Sequence, residues 1–333
     1  CRTDETYPHF SICGAHVMYQ VLVAYASRHN RDKLDDVSLL RLFAGIGTVS
    51  DVMPILYENR QLVSDSIAVA KLLYVEPETG DDGEKLMPDV NSSTLMALLR
   101  ARPHHPAFVS AFEGMARVIA HFAVAGKVRE VDDIDEGFYS FYLSPAFNAI
   151  RRMDGSMEDG FGAFFASDKD GHIAKVIADN DRRKEMIKEL MVQVLASHQP
   201  YAPYVYLVDT LRGMLGLVAN NLMQLNGAPV AVLIDNQVPG REMSGSCRAP
   251  GAFPMNSTLN EAGFHSAGHE QAFGVRIKDP SELPLLARFI EASYQSYLDK
   301  LTSEPGYKPW QPDLRFGEQP GAAGQDRIGW TER

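Results

Sequence analysis

The sequence predicts an α/β protein with a mainly helical front, a long helical connector and a compact α/β rear part. Three observations predict it. Apolar residues recur at three- and four-residue steps through most of the first 197 positions. The helical pattern at 172–197 is unusually long and carries Arg182, Arg183, Lys184 and Lys188 on its polar positions. Near residues 199–204 the pattern changes to short strand-like runs mixed with helices.

Bulk composition narrows the class. A length of 333 residues suggests two domains rather than one. Apolar residues at 45% and charged residues at 23% give a globular profile. No run approaches eighteen uncharged apolar residues, which predicts no membrane span. The opening CRTDETYPHF has neither a basic n-region nor an apolar h-region, so it does not read as a signal peptide. It also lacks an initiator Met, so the chain is expected to begin inside a longer product or to be processed. Cys1, Cys13 and Cys247 form no CxxC pair and no zinc spacing. A sparse, odd set of this kind fits a reducing cytoplasm. A net charge of −11 argues against nucleic acid covering the whole surface, yet it permits a basic groove on an acidic body.

The elements follow in order. Residues 12–30 and 34–49 read as apolar helices, Pro54 marks a turn, and 61–75 read as a third helix. The acidic, Gly- and Pro-containing stretch 76–92 reads as a loop. Residues 93–126 read as two helices split at Pro103 and Pro106, and VDDIDEG forms a second acidic patch. HQPYAPYVYLVDT is β-rich, MLGLVANNLMQLNG is a helix ended by Gly227, and APVAVLIDN is a buried strand. GVRIK reads as another strand, 280–301 as a final amphipathic helix, and 303–333 as an extended tail.

Four segments carry candidate chemistry. In GIGTVSDVMPILYENRQLV, Asp51 lies between apolar stretches, where an acid is costly unless paired or metal-bound. Taken alone, Ser50 and Asp51 also read as a helix N-cap. In YLSPAFNAIRRMDGS, Pro and Asn imply a fixed turn beside Arg151 and Arg152, whose guanidinium forks suit phosphate. A solvated turn with surface arginines is the alternative. In REMSGSCRAPGAFPM, Gly245, Ser246 and Arg248 suggest an anion nest with a hydroxyl and a guanidinium, or simply a turn. In GFHSAGHEQAFGVRI, Gly268 and His269 join that set, with a capping or core histidine as the alternative.

Together these segments resemble the RecJ-type, single-strand-specific exonucleases of the DHH phosphoesterase family. GTVSDVMPILYENR resembles the fourth DHH motif, and SICGAHVMYQVL the helix leading into it. SPAFNAIRRM is similar to the RecJ segment that places an Asn and an Arg at Asn148 and Arg152. NDRRKE, RGMLGLVANNL, SGSCRAP and SAGHEQAFG resemble, in order, the connector segment, the helix opening the DHH-associated domain, its GSxRS loop and its GGH stretch. The resemblance spans about residues 10 to 290.

It implies residues 1–98 as the C-terminal part of a DHH domain and 99–199 as a helical connector. It implies 200–302 as the DHH-associated substrate-binding domain and 303–333 as a tail. It also implies a 5′-to-3′ single-stranded-DNA exonuclease of repair and recombination, using Mn²⁺ or Mg²⁺. Asp51 would be one metal ligand. Asn148, Arg152, Gly245, Ser246, Arg248, Gly268 and His269 would line the DNA-end side.

The departures matter as well. Ala146 and Asn221 stand where the family has Arg, Arg151 and Ser266 where it has Gly, and Leu211 where it has His. The family's first three motifs belong before residue 10 and do not occur in this sequence. His104–His105, Asp168–Asp170–Gly171 and Asp133–Asp135 mimic them without their context. The chain alone is therefore expected not to hydrolyse DNA and to need an N-terminal DHH segment, in cis or in trans. Two other readings stand beside this one: a non-catalytic RecJ-like DNA-binding or scaffolding module, and a small DHH oligonucleotide phosphodiesterase.

Overall fold

The structure, a computed structural model, describes residues 11–153, 155–234 and 242–303. The opening decapeptide and the tail from 304 onward lie outside the described residues. The fold is mainly helical with a small mixed five-stranded sheet.

The front begins with α1 (Gly14–His29), whose first turn is capped by the Cys13 thiol accepting from the His16 amide. α2 (Leu34–Leu39) and α3 (Arg41–Ser50) occupy the predicted 34–49 helix, which bends at Leu40. α4 (Tyr57–Lys71) starts earlier than the periodicity suggests. Between α3 and α4 the chain turns tightly, with positive φ at Val52 (54°) and Tyr57 (47°). Such φ values are uncommon outside glycine. α5 (Thr94–Arg100) and α6 (Pro106–Val124) match the predicted pair split by prolines.

α7 (Glu136–Phe138) runs through a π-turn at Tyr139–Leu143 into α8 (Ser144–Arg152). The segment SPAFNAIRR is thus a helix, not the fixed turn that its Pro and Asn suggest. Pro145 sits in the first turn of α8, directly after the π-turn. α9 (Met157–Phe165) carries Gly160 and Gly162, and glycine obscures the helical signal. The glycines have a packing reason. A Cβ on Gly162 would lie 2.5 Å from the His172 ring, and one on Gly114 of α6 would lie 2.6 Å from the Ala163 carbonyl. α10 (Lys169–Ala196) is the long connector helix.

One apolar core runs from Leu42 to Val176 and is centred on α6. By length and composition α6 is apolar enough to cross a membrane. Here Phe112, Met115, Ile119 and Phe122 form the core, while Glu113 and Arg117 pair with each other at 3.1 Å on its polar side. The three decoy motifs have structural roles. Asp168 caps α10, Asp135 caps α7, and Asp133 accepts from the Arg129 amide at 2.7 Å. His105 caps α6, and His104 Nδ1 lies 3.2 Å from the Asp36 carboxylate, off hydrogen-bonding geometry.

Asp159 of α9 accepts from Lys175 Nζ at 2.6 Å and from His172 Nδ1 at 3.0 Å, both on α10. The Lys175 hydrogen bond, helped by His172, holds the Asp159 carboxyl below its usual range. A carboxyl depressed on folding contributes stability that is full above its unfolded pKa, about 3.9, and is lost as pH falls through the lower folded value. Asp159→Asn is therefore expected to lower stability near neutrality and to flatten its decline in acid. Urea midpoints measured across that pH range check this. An unchanged acid slope would remove the α9–α10 carboxylate from the explanation.

The rear part contains β1 (Val205–Val208), a 3-10 turn at Arg212–Met214, α11 (Leu215–Asn226), β2 (Val230–Ile234), β3 (Met243–Arg248), α12 (Met255–Glu261), β4 (His265–His269), β5 (Ala272–Ile277) and α13 (Leu283–Ser303). Gly227, at φ 62°, ends α11 in the left-handed region as expected. The strand order is β1-β2-β3-β5-β4, with β1 and β2 parallel and the other pairs antiparallel. Leu207, Leu233, Met243, Cys247, Phe273, Val275 and Ile277 face a core closed by α12 and α13. On the other face, α11 and the end of α10 cover Tyr206, Val208, Val230 and Val232.

Candidate nucleic-acid interface

The SGSCR segment is a central strand, not a loop. Met243 and Cys247 alternate with Ser244, Ser246 and Arg248, a period of two written in small polar residues of low strand propensity. Ladders on both sides outweigh that propensity. Gly245 pairs with Leu233 and Val275, so its backbone serves the sheet rather than an anion nest. Its lack of a side chain serves packing, since a Cβ would lie 2.6 Å from the Val232 carbonyl.

Strand geometry places Ser246 and Arg248 on the face that carries α11. The Arg248 Nη1 donates to Ser246 Oγ at 3.0 Å and to the Cys247 carbonyl at 2.7 Å. Cys247 points to the opposite face, where burial pushes its thiol well above the usual range. Cys13 and Cys247 are both free and buried. His269 ends β4, registered with Ala272, which in turn pairs with Arg248. His269 is exposed. Gly268 beside it has φ 146°, and a Cβ there would lie 2.7 Å from Phe273 Cα. Ser266, where the resemblance leads one to expect Gly, is accommodated by donating to Asn256 Oδ1 at 2.7 Å.

The front reaches this sheet through α8. Gly213 lies against it so closely that a Cβ would sit 2.6 Å from the Arg152 Cα and carbonyl. Gly216 gives similar room, since a Cβ there would be 2.8 Å from Arg248 Nη2. An open cavity of about 380 Å³ lies at this junction, lined by Ser50 and Val52, by Asn148 and Arg152, by Arg183 of α10 and by Leu217 of α11. Ser50 Oγ hydrogen-bonds Ser144 Oγ, tying the end of α3 to the start of α8.

Three guanidinium groups converge there. Arg183 donates from Nε and Nη2 to Asn180 Oδ1, which fixes its fork. Burial pulls Arg152 below its usual pKa. Burial, then repulsion from Arg152, does the same to Arg183. Arg248 is lowered first by burial, with Arg152 adding to it. Among the described residues none of the three forms a salt bridge. No side chain caps the N-terminus of α11, which lies between Gly213 and Gly216. Clustered half-buried cations at a helix N-terminus form an anion site, because the helix amides add to the same positive potential.

The predicted residues thus divide. Arg152, Ser246 and Arg248 come together, with Asn148 on the cavity wall and His269 on the sheet edge. Asp51 differs from its expected setting. It is the C-terminal cap of α3, not an N-cap, and its carboxylate is exposed, so burial imposes no demand for a partner. Its neighbours Ser50 and Val52 line the cavity and it does not. Among the described residues no three His, Cys, Asp or Glu side chains meet to hold a metal ion. The residues described therefore do not form a two-metal site. Sequence reasoning left out Arg183, Gly213 and Gly216, although NDRRKE and RGMLGLV contain all three.

A DHHA1 domain model matches residues 202–296. No curated protein matches the chain. Among solved structures, RecJ from Thermus thermophilus in complex with Mn²⁺ matches with a TM-score of 0.51 at 18% identity. That match covers 77% of this chain and 33% of RecJ. The Mg²⁺ complex of the same protein gives 0.53 at 18% identity, over 77% and 34%. The chain therefore spans about a third of the length of that RecJ. The chain thus carries a match to the DHHA1 domain over residues 202–296 and shares its fold with RecJ.

Proposed function

We propose that this chain is the DNA-end-binding part of a RecJ-like, metal-dependent exonuclease that degrades single-stranded DNA. The convergence of Arg152, Arg183 and Arg248 on the N-terminus of α11, none of them in a salt bridge among the described residues, carries this reading. A 5′-terminal phosphate there restores the solvation that burial removed and relieves the repulsion between the arginines. Asn148 and Ser246 add hydrogen bonds, and Gly268 and His269 flank the next nucleotide. In this division 1–98, 99–199 and 200–302 serve as DHH remnant, connector and substrate-binding domain.

Mn²⁺ or Mg²⁺ belongs to the complete enzyme. Asp51 contributes one ligand there, and an N-terminal DHH segment, in cis or in trans, contributes the others. No chemical step is assigned to this chain by itself. Free thiols at Cys13 and Cys247 suit a cytoplasmic setting.

The test measures binding of 5′-phosphorylated and 5′-hydroxyl single strands of one sequence, with and without Mn²⁺. Tighter binding of the phosphorylated strand, and no release of nucleotides with Mn²⁺, is expected. Equal affinities would remove the end-binding role, and hydrolysis would show that this chain holds a complete site. The isolated, exposed Asp51 favours one second reading, a non-catalytic DNA-binding or scaffolding module. In that case the full-length protein shows no nuclease activity although it binds ends. The 28-residue α10 fits poorly with the small oligonucleotide phosphodiesterases, whose two domains are joined briefly.

A further inference from the structure

The sheet carries cations beyond the arginine cluster. α11, with the end of α10, covers the apolar part of its face on β1 and β2 and reaches β3, where Gly216 lies against Ser246 and Arg248. Across β3, β5 and β4 that same face is polar, and strand alternation arranges it in three cross-strand rows. Arg248, Ala272 and His269 form the first row. Ser246, Gly274 and Ala267 form the second, and Ser244, Arg276 and His265 the third.

Arg212, from the turn before α11, joins the third row to line an open cavity of about 330 Å³. Its floor is made by Gly245, Gly274 and Ala267, so no bulky side chain obstructs it. Arg212, His265 and Arg276 are all exposed. Among the described residues the carboxylate in salt-bridge range of these three is Glu242, 3.7 Å from Arg276. On a chain of net charge −11 this face is locally cationic.

The first and third rows are four residues apart, or about 13 Å along the strands. A nucleic-acid strand carries a phosphate every ~3.4 Å of axis even when stacked in a duplex. The two cationic rows therefore span more than one nucleotide.

We propose that this groove is a second subsite for single-stranded nucleic acid, downstream of the end pocket. Arg212, His265 and Arg276 hold backbone phosphates, and Gly245, Gly274 and Ala267 are the floor on which the sugar-phosphate backbone lies. Charge complementarity selects a polyanion, and the small floor lets it approach the sheet closely. Contacts of this kind go to phosphates and carry no sequence information, so the groove binds without base preference. This subsite rests on the end-binding reading above, because the end pocket sets where the strand starts.

The experiment titrates the full chain with 5′-phosphorylated oligonucleotides of one, two, four and six residues at several salt concentrations. Wild-type affinity is expected to rise from one residue to four. Arg212→Gln and Arg276→Gln are each expected to lower the log–log salt slope for the tetranucleotide by about 0.7, the value for one phosphate contact on a single strand. Both arginines are exposed, so the variants keep their fold, which circular dichroism verifies. The double variant is expected to lose the gain with length. If it keeps that gain while Arg248→Gln weakens binding at every length, the groove is not a subsite and the end pocket stands. A wild-type chain that binds no oligonucleotide overturns both. Displacement of the tetranucleotide by a polyglutamate peptide of equal charge would make the groove a protein-docking face instead.

Discussion

Arg248→Gln is expected to abolish most of the preference for a phosphorylated 5′ end. The Arg248 guanidinium is held by Ser246 Oγ and the Cys247 carbonyl, so it cannot swing away from the cluster without breaking both bonds. The neutral amide keeps much of the volume and removes the charge. A hydrogen bond to a charged group contributes about 1.5–3 kcal/mol, which corresponds to a roughly ten- to hundred-fold loss of affinity for the phosphorylated strand. Affinity for a 5′-hydroxyl strand should fall much less. Fluorescence anisotropy on both strands separates the two effects. Equal losses on both would place Arg248 on the general backbone track rather than at the strand end.

Gly213→Val is expected to have the largest effect on stability and binding together. Its Cβ would occupy space 2.6 Å from the Arg152 backbone, which is part of a helix and cannot move aside as a flexible side chain can. Overpacking of this kind costs about 1–3 kcal/mol. The strain falls where α8 meets the turn before α11, so relief separates Arg152 from Arg248. Denaturant midpoints should drop and the 5′-phosphate preference should shrink in the same variant. Gly227→Val, at the far end of α11, should lower stability because of its φ of 62° while sparing that preference. If Gly213→Val keeps the preference intact, the close contact with Arg152 is not what assembles the site.

Much of the fold is legible in the sequence where one period dominates. α1, α6, α10, α11 and α13 have clean helical patterns, and β1 and β2 are short apolar runs. The segments that mislead do so for identifiable reasons. Pro145 and Asn148 read as a turn because local propensity is ambiguous, whereas burial of Ala146, Ala149 and Ile150 makes α8. β3 hides because Ser, Gly and Ser carry its alternation. α9 hides behind Gly160, which packs against Ile150 of α8, and Gly162, which packs against the His172 ring. For the site, the residue types were readable and the convergence was not. Arg152, Arg183 and Arg248 come from a helix, the connector and a strand, and only tertiary contacts through Gly213 and Gly216 bring them together. Asp51 is the reverse case. Its apolar neighbours suggest a buried acid, but the tight turn at Val52 leaves it in solvent.

A thermodynamic cycle between each arginine and the 5′ phosphate is the direct measurement. It needs four affinities for each of Arg152, Arg183 and Arg248: wild type and the Gln variant, each with phosphorylated and hydroxyl ends. Coupling of about 1.5 kcal/mol or more for each, with near-zero coupling for the exposed Arg182 beside Arg183, is the predicted result. Near-zero coupling at all three half-buried positions would contradict a phosphate pocket at the start of α11.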